Sequence, residues 1–172
     1  MPPITALLHT ENDVRRLGRA LETVYPCDDI LIVDHGSRDG TVQIARAYGA
    51  RVVAAEPGAS PDHYLRLVRP GWILCLDPSE SLTEKLAASL FELKMEWKTE
   101  WKTEGTSPPG NTGPAPAFCF PLREETNEGW IEVPHSQTRL VPRTWSRWHA
   151  RFPIHEPSAV ALEGELLRFT FP

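Results

Sequence analysis

Two apolar runs in this chain stop on an acid: "ILIVD" closes at Asp34 and "WILCLD" at Asp77. A carboxylate at the end of a buried strand can accept hydrogen bonds from a base or ribose, or hold a divalent cation through hard oxygen ligands. If the two emerge from adjacent strand ends, they can face one crevice. Each also has a purely structural reading, Asp34 as a turn acid and Asp77 as the N-cap ahead of "SESLTEK". Asp39 falls mainly on the structural side, because it precedes Gly40 and a helix start, where free N–H groups need an acceptor. Around these acids stand Thr10 and Asn12 in "TEND", His35 directly after Asp34, Ser79 and Glu80 after Asp77, and the pair His155–Glu156. An imidazole titrates near neutral pH, so His35 brings switchable charge to the mouth of any pocket there. His9 and His155 read equally well as packing and loop residues.

Elements of alternating type must position these groups. "ITALL" (4–8) reads as a strand, and the helix after it carries Val14, Leu17, Leu21 and Val24 at helical spacing. "DDILIVD" is a strand, continuous in its apolar residues as one covered on both faces should be. "GTVQIARAYGA" predicts a helix with Val42, Ile44, Ala45 and Tyr48 inward and Gly49 as its stop. "RVVAA" is a third strand, "SPDHYLRLVRPG" a weaker helix, and "WILCLD" a fourth strand. The alternation predicts an α/β fold with a mostly parallel sheet flanked by helices. From Leu82 an apolar stripe through Leu86, Leu90, Leu93, Trp97 and Trp101 predicts another helix. It includes the tandem "WKTEWKTE" and reads as a packing face rather than an exposed ridge. Residues 105–117 are rich in Pro and Gly and predict a loop. "FCFPL", "TRLV" and "ELLRFTF" predict short strands and a smaller, antiparallel C-terminal part. Residues 1–172 thus read as one domain, with an alternating half over 1–84, the loop over 105–117 and a C-terminal part over 118–172.

A chain of 172 residues with 41% hydrophobic and 24% charged residues suits one soluble domain. The net charge of −5 argues against a nucleic-acid partner, although Arg139, Arg143, Arg147 and Arg151 crowd into one stretch. Cys27, Cys75 and Cys119 are odd in number and widely spaced, as buried thiols in a reducing compartment would be. No signal peptide or membrane span is expected, and the chain reads as cytoplasmic, with room for association at the inner membrane face or for a homo-oligomer.

The segments "ITALLHTENDVRRLGRALETV", "ILIVDHGSRDGTVQIARAYGARVV" and "GWILCLDPSESLT" resemble, in order and spacing, the family-two glycosyltransferases of the GT-A fold. The chain looks like the short bacterial members that act on lipopolysaccharide or other cell-surface glycans, which implies a nucleotide-binding half over 1–84 and an acceptor-side part over 118–172. The combination of "VDHGSRDGT" with "WILCLDPSE" carries the resemblance, and "TRLVPRTWSRWHARFPIHE" is similar to the family's later Arg-rich segment and its His-Glu. The resemblance covers about residues 4–84 and 137–156. It implies a GT-A-like (Rossmann-like) fold and transfer of a sugar, with inversion, from a nucleotide diphosphate donor, usually a UDP-linked one, to an acceptor hydroxyl on a glycan or lipid-linked acceptor. It implies Thr10, Asn12, Asp34, His35 and Asp77 at the nucleotide. Asp77, Ser79 and Glu80 would lie beside Mg²⁺ or Mn²⁺, and His155 and Glu156 at the reacting groups, with Glu156 as the base.

The chain departs from that pattern in three places. Ser79 stands where the metal motif carries a second aspartate, and a neutral hydroxyl is a poorer cation ligand. The family's Arg-Asn pair is missing before the fourth strand, where Asp62 and His63 occur, and His35 replaces a small or acidic residue. These departures keep open a second reading, a nucleotide-binding or scaffold relative that does not catalyse. A doubly wound domain of another class is a minor third, since no Gly-rich phosphate loop is present.

Overall fold

The computed structural model describes residues 2–104 and 117–171, with residues 98–104 described by their helical backbone alone. The Pro/Gly-rich stretch as far as residue 116 and the side chain of Trp101 lie outside the described residues. In chain order the elements begin β1 (Ile4–Thr10), α1 (Leu17–Thr23), β2 (Asp29–Asp34), α2 (Thr41–Ala47), β3 (Arg51–Ala54), α3 (Pro61–Leu65), β4 (Trp72–Leu76), β5 (Glu80–Leu82) and α4 (Glu84–Glu104). They continue with β6 (Phe118–Phe120), β7 (Leu122–Thr126), β8 (Gly129–Glu132), β9 (Gln137–Pro142), β10 (Trp148–His149), β11 (Phe152–Pro153), β12 (Val160–Ala161) and β13 (Leu166–Arg168).

The main sheet runs β12-β6-β9-β4-β1-β2-β3. Its core is parallel: β1 pairs with β2, setting Thr10 opposite Asp34, and with β4, setting Leu8 opposite Leu76. β3 extends the ladder in parallel beyond β2, while β9 runs antiparallel to both β4 and β6. The carboxyl ends of β1 to β4 therefore share one rim. β1 leads outward to β2 and β3 on one side, whereas β4 lies on its other side, so the crevice between β1 and β4 is the switch point where ligands enter such sheets. "FCFPL" and "TRLV" supply β6 and β9, which widen this sheet, so the antiparallel strands of the second half are not all set apart. A smaller sheet, β5-β13-β7-β8, joins β5 from before α4 to three strands from after it.

Strand side chains alternate between faces. Ile4, Ala6, Leu8, Ile32, Leu74 and Leu76 pack with Leu17 and Leu21 of α1 and Leu86, Leu90 and Leu93 of α4. Leu7, Leu31, Val33, Ile73 and Cys75 face the other way, against Tyr64, Leu65 and Val68. Burying each Leu contributes roughly 1.5–3 kcal/mol, which fixes the register of every strand. The tryptophan stripe packs as expected as far as Trp97, which stacks on Trp72 with ring centres 4.8 Å apart. Lys94 fastens the same helix by donating to Asp28 and to the carbonyl of Pro26, each at 2.9 Å. Tyr48 differs from the inward position expected. It follows the last turn of α2, is exposed, and donates its hydroxyl to Glu22 at 2.9 Å. Cys75 and Cys119 are buried and Cys27 partly so, and burial pushes the Cys75 thiol up to about 12. No described helix is long and apolar enough to cross a membrane.

Two glycines separate backbone strain from crowding. Gly49 ends α2 at φ 75° with open space where a Cβ would stand, whereas at Gly164, φ 101°, a Cβ would lie 2.2 Å from the Leu86 amide nitrogen. Gly49→Ala is expected to lose about 1 kcal/mol and Gly164→Ala roughly 2 kcal/mol or more, measured by urea unfolding.

Candidate functional site

The β1–α1 and β2–α2 loops are stitched together at the rim. Asn12 sits in the left-handed region at φ 57°, a conformation Asn tolerates better than most residues. Its amide donates to the Ser37 hydroxyl at 2.9 Å and its side-chain oxygen accepts from the Arg38 amide at 2.8 Å. Asp34 accepts four hydrogen bonds: from the Thr10 hydroxyl (3.3 Å), the Ser37 hydroxyl (2.5 Å) and the amides of Gly36 and Ser37. Asp34, Thr10 and Asn12 are thus brought together, and the carboxylate is occupied by its own turn. Asp39 has the structural role expected of it, accepting from the Thr41 amide and hydroxyl and from the Val14 amide.

His35 comes next along the chain and points elsewhere. A cavity of about 550 Å³ opens beyond the ends of β1, β2 and β3, lined by His9, His35, Gly36, Ala55, Tyr64 and Arg151 among others. Parity explains the lining: His9 follows Leu7, and His35 follows Val33, on the face that packs against Tyr64. His9 Nδ1 and His35 Nε2 are 2.9 Å apart, and the His9 ring meets Tyr64 edge-on at 5.5 Å. Burial, then the Arg151 charge and His35, lowers the His9 pKa to about 4. Burial and Arg151 also lower that of His35.

Asp77 lies at the same rim, but β1 stands between its strand and that of Asp34, a separation of two strand spacings, about 10 Å. The adjacency expected of the two acids is therefore replaced by a shared rim with β1 in the middle. One oxygen of Asp77 accepts from the Ser79 amide (2.9 Å) and hydroxyl (2.6 Å). Asp13 sits close enough that the Asp77 and Asp39 charges, after burial, help raise its pKa. Glu80 is fully buried. One oxygen accepts from Arg139 and Arg168, each at 2.9 Å, and the other from the Asp77 amide at 3.0 Å. With Ser79 turned onto Asp77 and Glu80 enclosed by guanidiniums, no group of three His, Cys, Asp or Glu side chains able to hold a metal occurs among the described residues. Mg²⁺ and Mn²⁺ favour six oxygens. The protein groups at this turn fit such a cation only as a partial site completed by oxygens of a bound phosphate ligand.

His155 and Glu156 lie further along the rim. The Glu156 amide donates to Thr138 at 3.0 Å, and His155 lines a second hollow of about 280 Å³ with His135, Ser136, Gln137 and Thr138. The carboxylate of Glu156 accepts from the Ser158 hydroxyl and amide and from Arg147. The Ser158 hydrogen bonds, helped by Arg147, hold it below the usual carboxylate range. The arginines expected as one group are dispersed. Arg139 faces Glu80, Arg143 donates to the carbonyls of Leu65 and Arg66, Arg147 meets Glu156, and Arg151 lines the large cavity. Trp145 and Trp148 pack in the core, each indole donating to a backbone carbonyl. Sequence reasoning left His9 undecided, offered Arg151 only as one of a group of arginines, and missed Tyr64. The signal for His9 was present, a titratable residue at an inward position of a buried strand.

Two tests follow from this electrostatics. Breaking a buried ion group costs about 3–5 kcal/mol, whereas replacing all its members by apolar side chains is often nearly neutral. Glu80→Gln is therefore expected to lose about 3 kcal/mol or more in denaturant unfolding, and Glu80→Leu combined with Arg139→Met and Arg168→Met to lose less. His9 stays neutral in the fold down to about pH 4, while the unfolded chain takes up its proton near its ordinary value of about 6.5. Stability is then complete above about pH 6.5 and falls by up to about 3 kcal/mol as pH drops to 4. His9→Gln should flatten the unfolding free energy across that window.

No family model matches the chain. Curated relatives do. An uncharacterized glycosyltransferase of Rickettsia felis is 33% identical over 91 residues, which are 50% of this chain and 32% of the relative. Another, from Rickettsia bellii, is 33% identical over 88 residues, covering 48% and 30%. The chain therefore spans about a third of the length of these relatives. Among solved structures, the crystal structure of S. aureus TarS superposes with a TM-score of 0.51 at 12% identity, covering 83% of this chain and 29% of that one. Over about half of its length the chain is thus similar in sequence to curated glycosyltransferases, and its fold is GT-A-like.

Proposed function

We propose that the chain binds a nucleotide diphosphate-sugar donor, UDP-linked, across the rim of β1, β2 and β4 and takes part in transferring the sugar to an acceptor hydroxyl. The observation that carries the reading is the cavity at the carboxyl ends of β1, β2 and β3, where Tyr64 offers a flat face suited to a nucleoside and His9, His35 and Arg151 add polar edges. The β2–α2 loop, braced through Thr10, Asn12 and Asp34, contributes His35 and Gly36 to its lining. From there the β1/β4 switch point leads to Asp77, whose second carboxylate oxygen is the group available to a cation arriving with the diphosphate. Mg²⁺ or Mn²⁺ so held would neutralise charge on the departing diphosphate.

In the transfer, the acceptor oxygen bonds to the anomeric carbon from the face opposite the leaving group. The bond from that carbon to the phosphate oxygen breaks, and a carboxylate takes the hydroxyl proton. Glu156 is the carboxylate offered for that proton. It must first exchange its Ser158 and Arg147 partners, and until then it serves to hold Arg147 at the rim. His155, in the second hollow beside Gln137 and Thr138, is offered to the acceptor, a glycan or lipid-linked one.

A second reading, nucleotide binding without turnover, is favoured by one observation: Ser79 and Glu80 are spent on Asp77 and on the arginines. Calorimetric titration with UDP and GDP, with and without Mn²⁺, separates the two. The transferase reading expects UDP to bind at least several-fold tighter with Mn²⁺, and UDP to be released from a nucleotide sugar when acceptor is supplied. The binding-only reading expects affinity indifferent to the cation and no release. Failure of any nucleoside diphosphate to bind at about 1 mM overturns both.

A further inference from the structure

We propose that His9, His35 and Arg151 together form an oxyanion subsite in the large cavity, taking a phosphate of the nucleotide with uptake of a proton by the imidazole pair. The inference rests on the donor reading above, and deepens it by naming how the charge of the ligand is met.

Two neutral imidazoles joined by one hydrogen bond keep one further N–H and one further lone pair between them. That is the state of His9 and His35, whose Nδ1 and Nε2 atoms stand 2.9 Å apart. One added proton goes to the remaining lone pair. The pair keeps its internal bond, gains a positive charge and presents two outer N–H donors in place of one. Two donors and a charge match two oxygens of a phosphate.

Arg151 supplies the second half of the argument. It lines the same cavity, next to Ala150 held at φ 51°. The ion pairs among the described residues leave it without a carboxylate partner, and its charge works against protonation of both imidazoles. An anion bound among the three would cancel that repulsion, so ligand and proton favour one another.

The neighbouring charges are compatible with this. Asp34 and Glu11 pull the other way on His35, but Asp34 is already saturated by four donors. Glu56, on the cavity wall, pairs with His63 at 3.2 Å. Tyr64 is held to the cavity wall, its hydroxyl oxygen accepting from the Glu56 amide at 2.9 Å.

The test is an NMR titration of the His9 and His35 ring protons in the full chain, from about pH 3.5 to 8, alone and with UDP-glucose, uridine or sulfate. UDP-glucose and sulfate keep constant charge over that range, so any proton uptake belongs to the protein. UDP-glucose is expected to raise the midpoint of the pair by about one unit and, equivalently, to bind up to about tenfold tighter below the midpoint than well above it. Uridine should leave the midpoint in place. Arg151→Gln should weaken UDP-glucose binding at every pH, and His35→Gln should weaken it and abolish its pH dependence. UDP-glucose binding with the midpoint unmoved overturns this inference and leaves the donor reading standing. A midpoint raised by sulfate, with no binding of UDP-glucose, supports the oxyanion subsite and overturns the donor reading. Neither ligand moving the midpoint or binding overturns both.

Discussion

β1 is hydrogen-bonded in parallel to β2 on one side and β4 on the other, in a register sealed by apolar side chains on both faces. A slip of one residue would turn each strand inside out, so the ladder decides which side chain reaches the rim and which way it looks. Position 34, two residues past Ile32, belongs to the helix-covered face and folds into its own loop. Positions 9 and 35 have the opposite parity and look across at Tyr64. The chemistry at the rim is therefore allotted by counting along three strands, with the loops adding only the last residue or two.

That allotment answers what an aspartate is for at the end of "ILIVD". Asp34 builds the wall, and the residue after it faces the hollow. The same division recurs at β4, where Asp77 keeps one oxygen for its turn through Ser79. Charge at this rim is managed by commitment: acids are satisfied by nearby N–H and O–H groups, and an arginine and two imidazoles are left looking into open space. A cleft of that composition favours neutral histidines when empty, because burial, and after it the Arg151 charge, weighs against their protonated forms.

The strands and their order of appearance were legible because buried parallel strands read as unbroken apolar runs and their helices as spaced ones. The packing of Leu86, Leu90, Leu93 and Trp97 was legible for the same reason. Tyr48 was misjudged because a residue at the end of a short helix answers to the cap and not to the stripe. The fate of Glu80 was hidden, since its partners lie 59 and 88 residues away and no local pattern announces them. Arg151 was hidden likewise, for its place depends on a bend at Ala150 and on how β10 and β11 pack against β9. The sequence motifs pointed to loops that meet at one rim, and long-range pairing decided which atoms in them stay free.

Glu80 has a consequence for how the chain comes to be folded during its synthesis. When the strand that ends at Asp77 has left the ribosome, both arginines that neutralise Glu80 are still untranslated, and a lone carboxylate cannot be enclosed. The turn after β4 must therefore stay wet and loose until β9 and then β13 arrive. The rim acquires its final shape only once β13 is in place, so an emerging chain stopped short of Arg168 would hold an open, hydrated rim in place of a finished one.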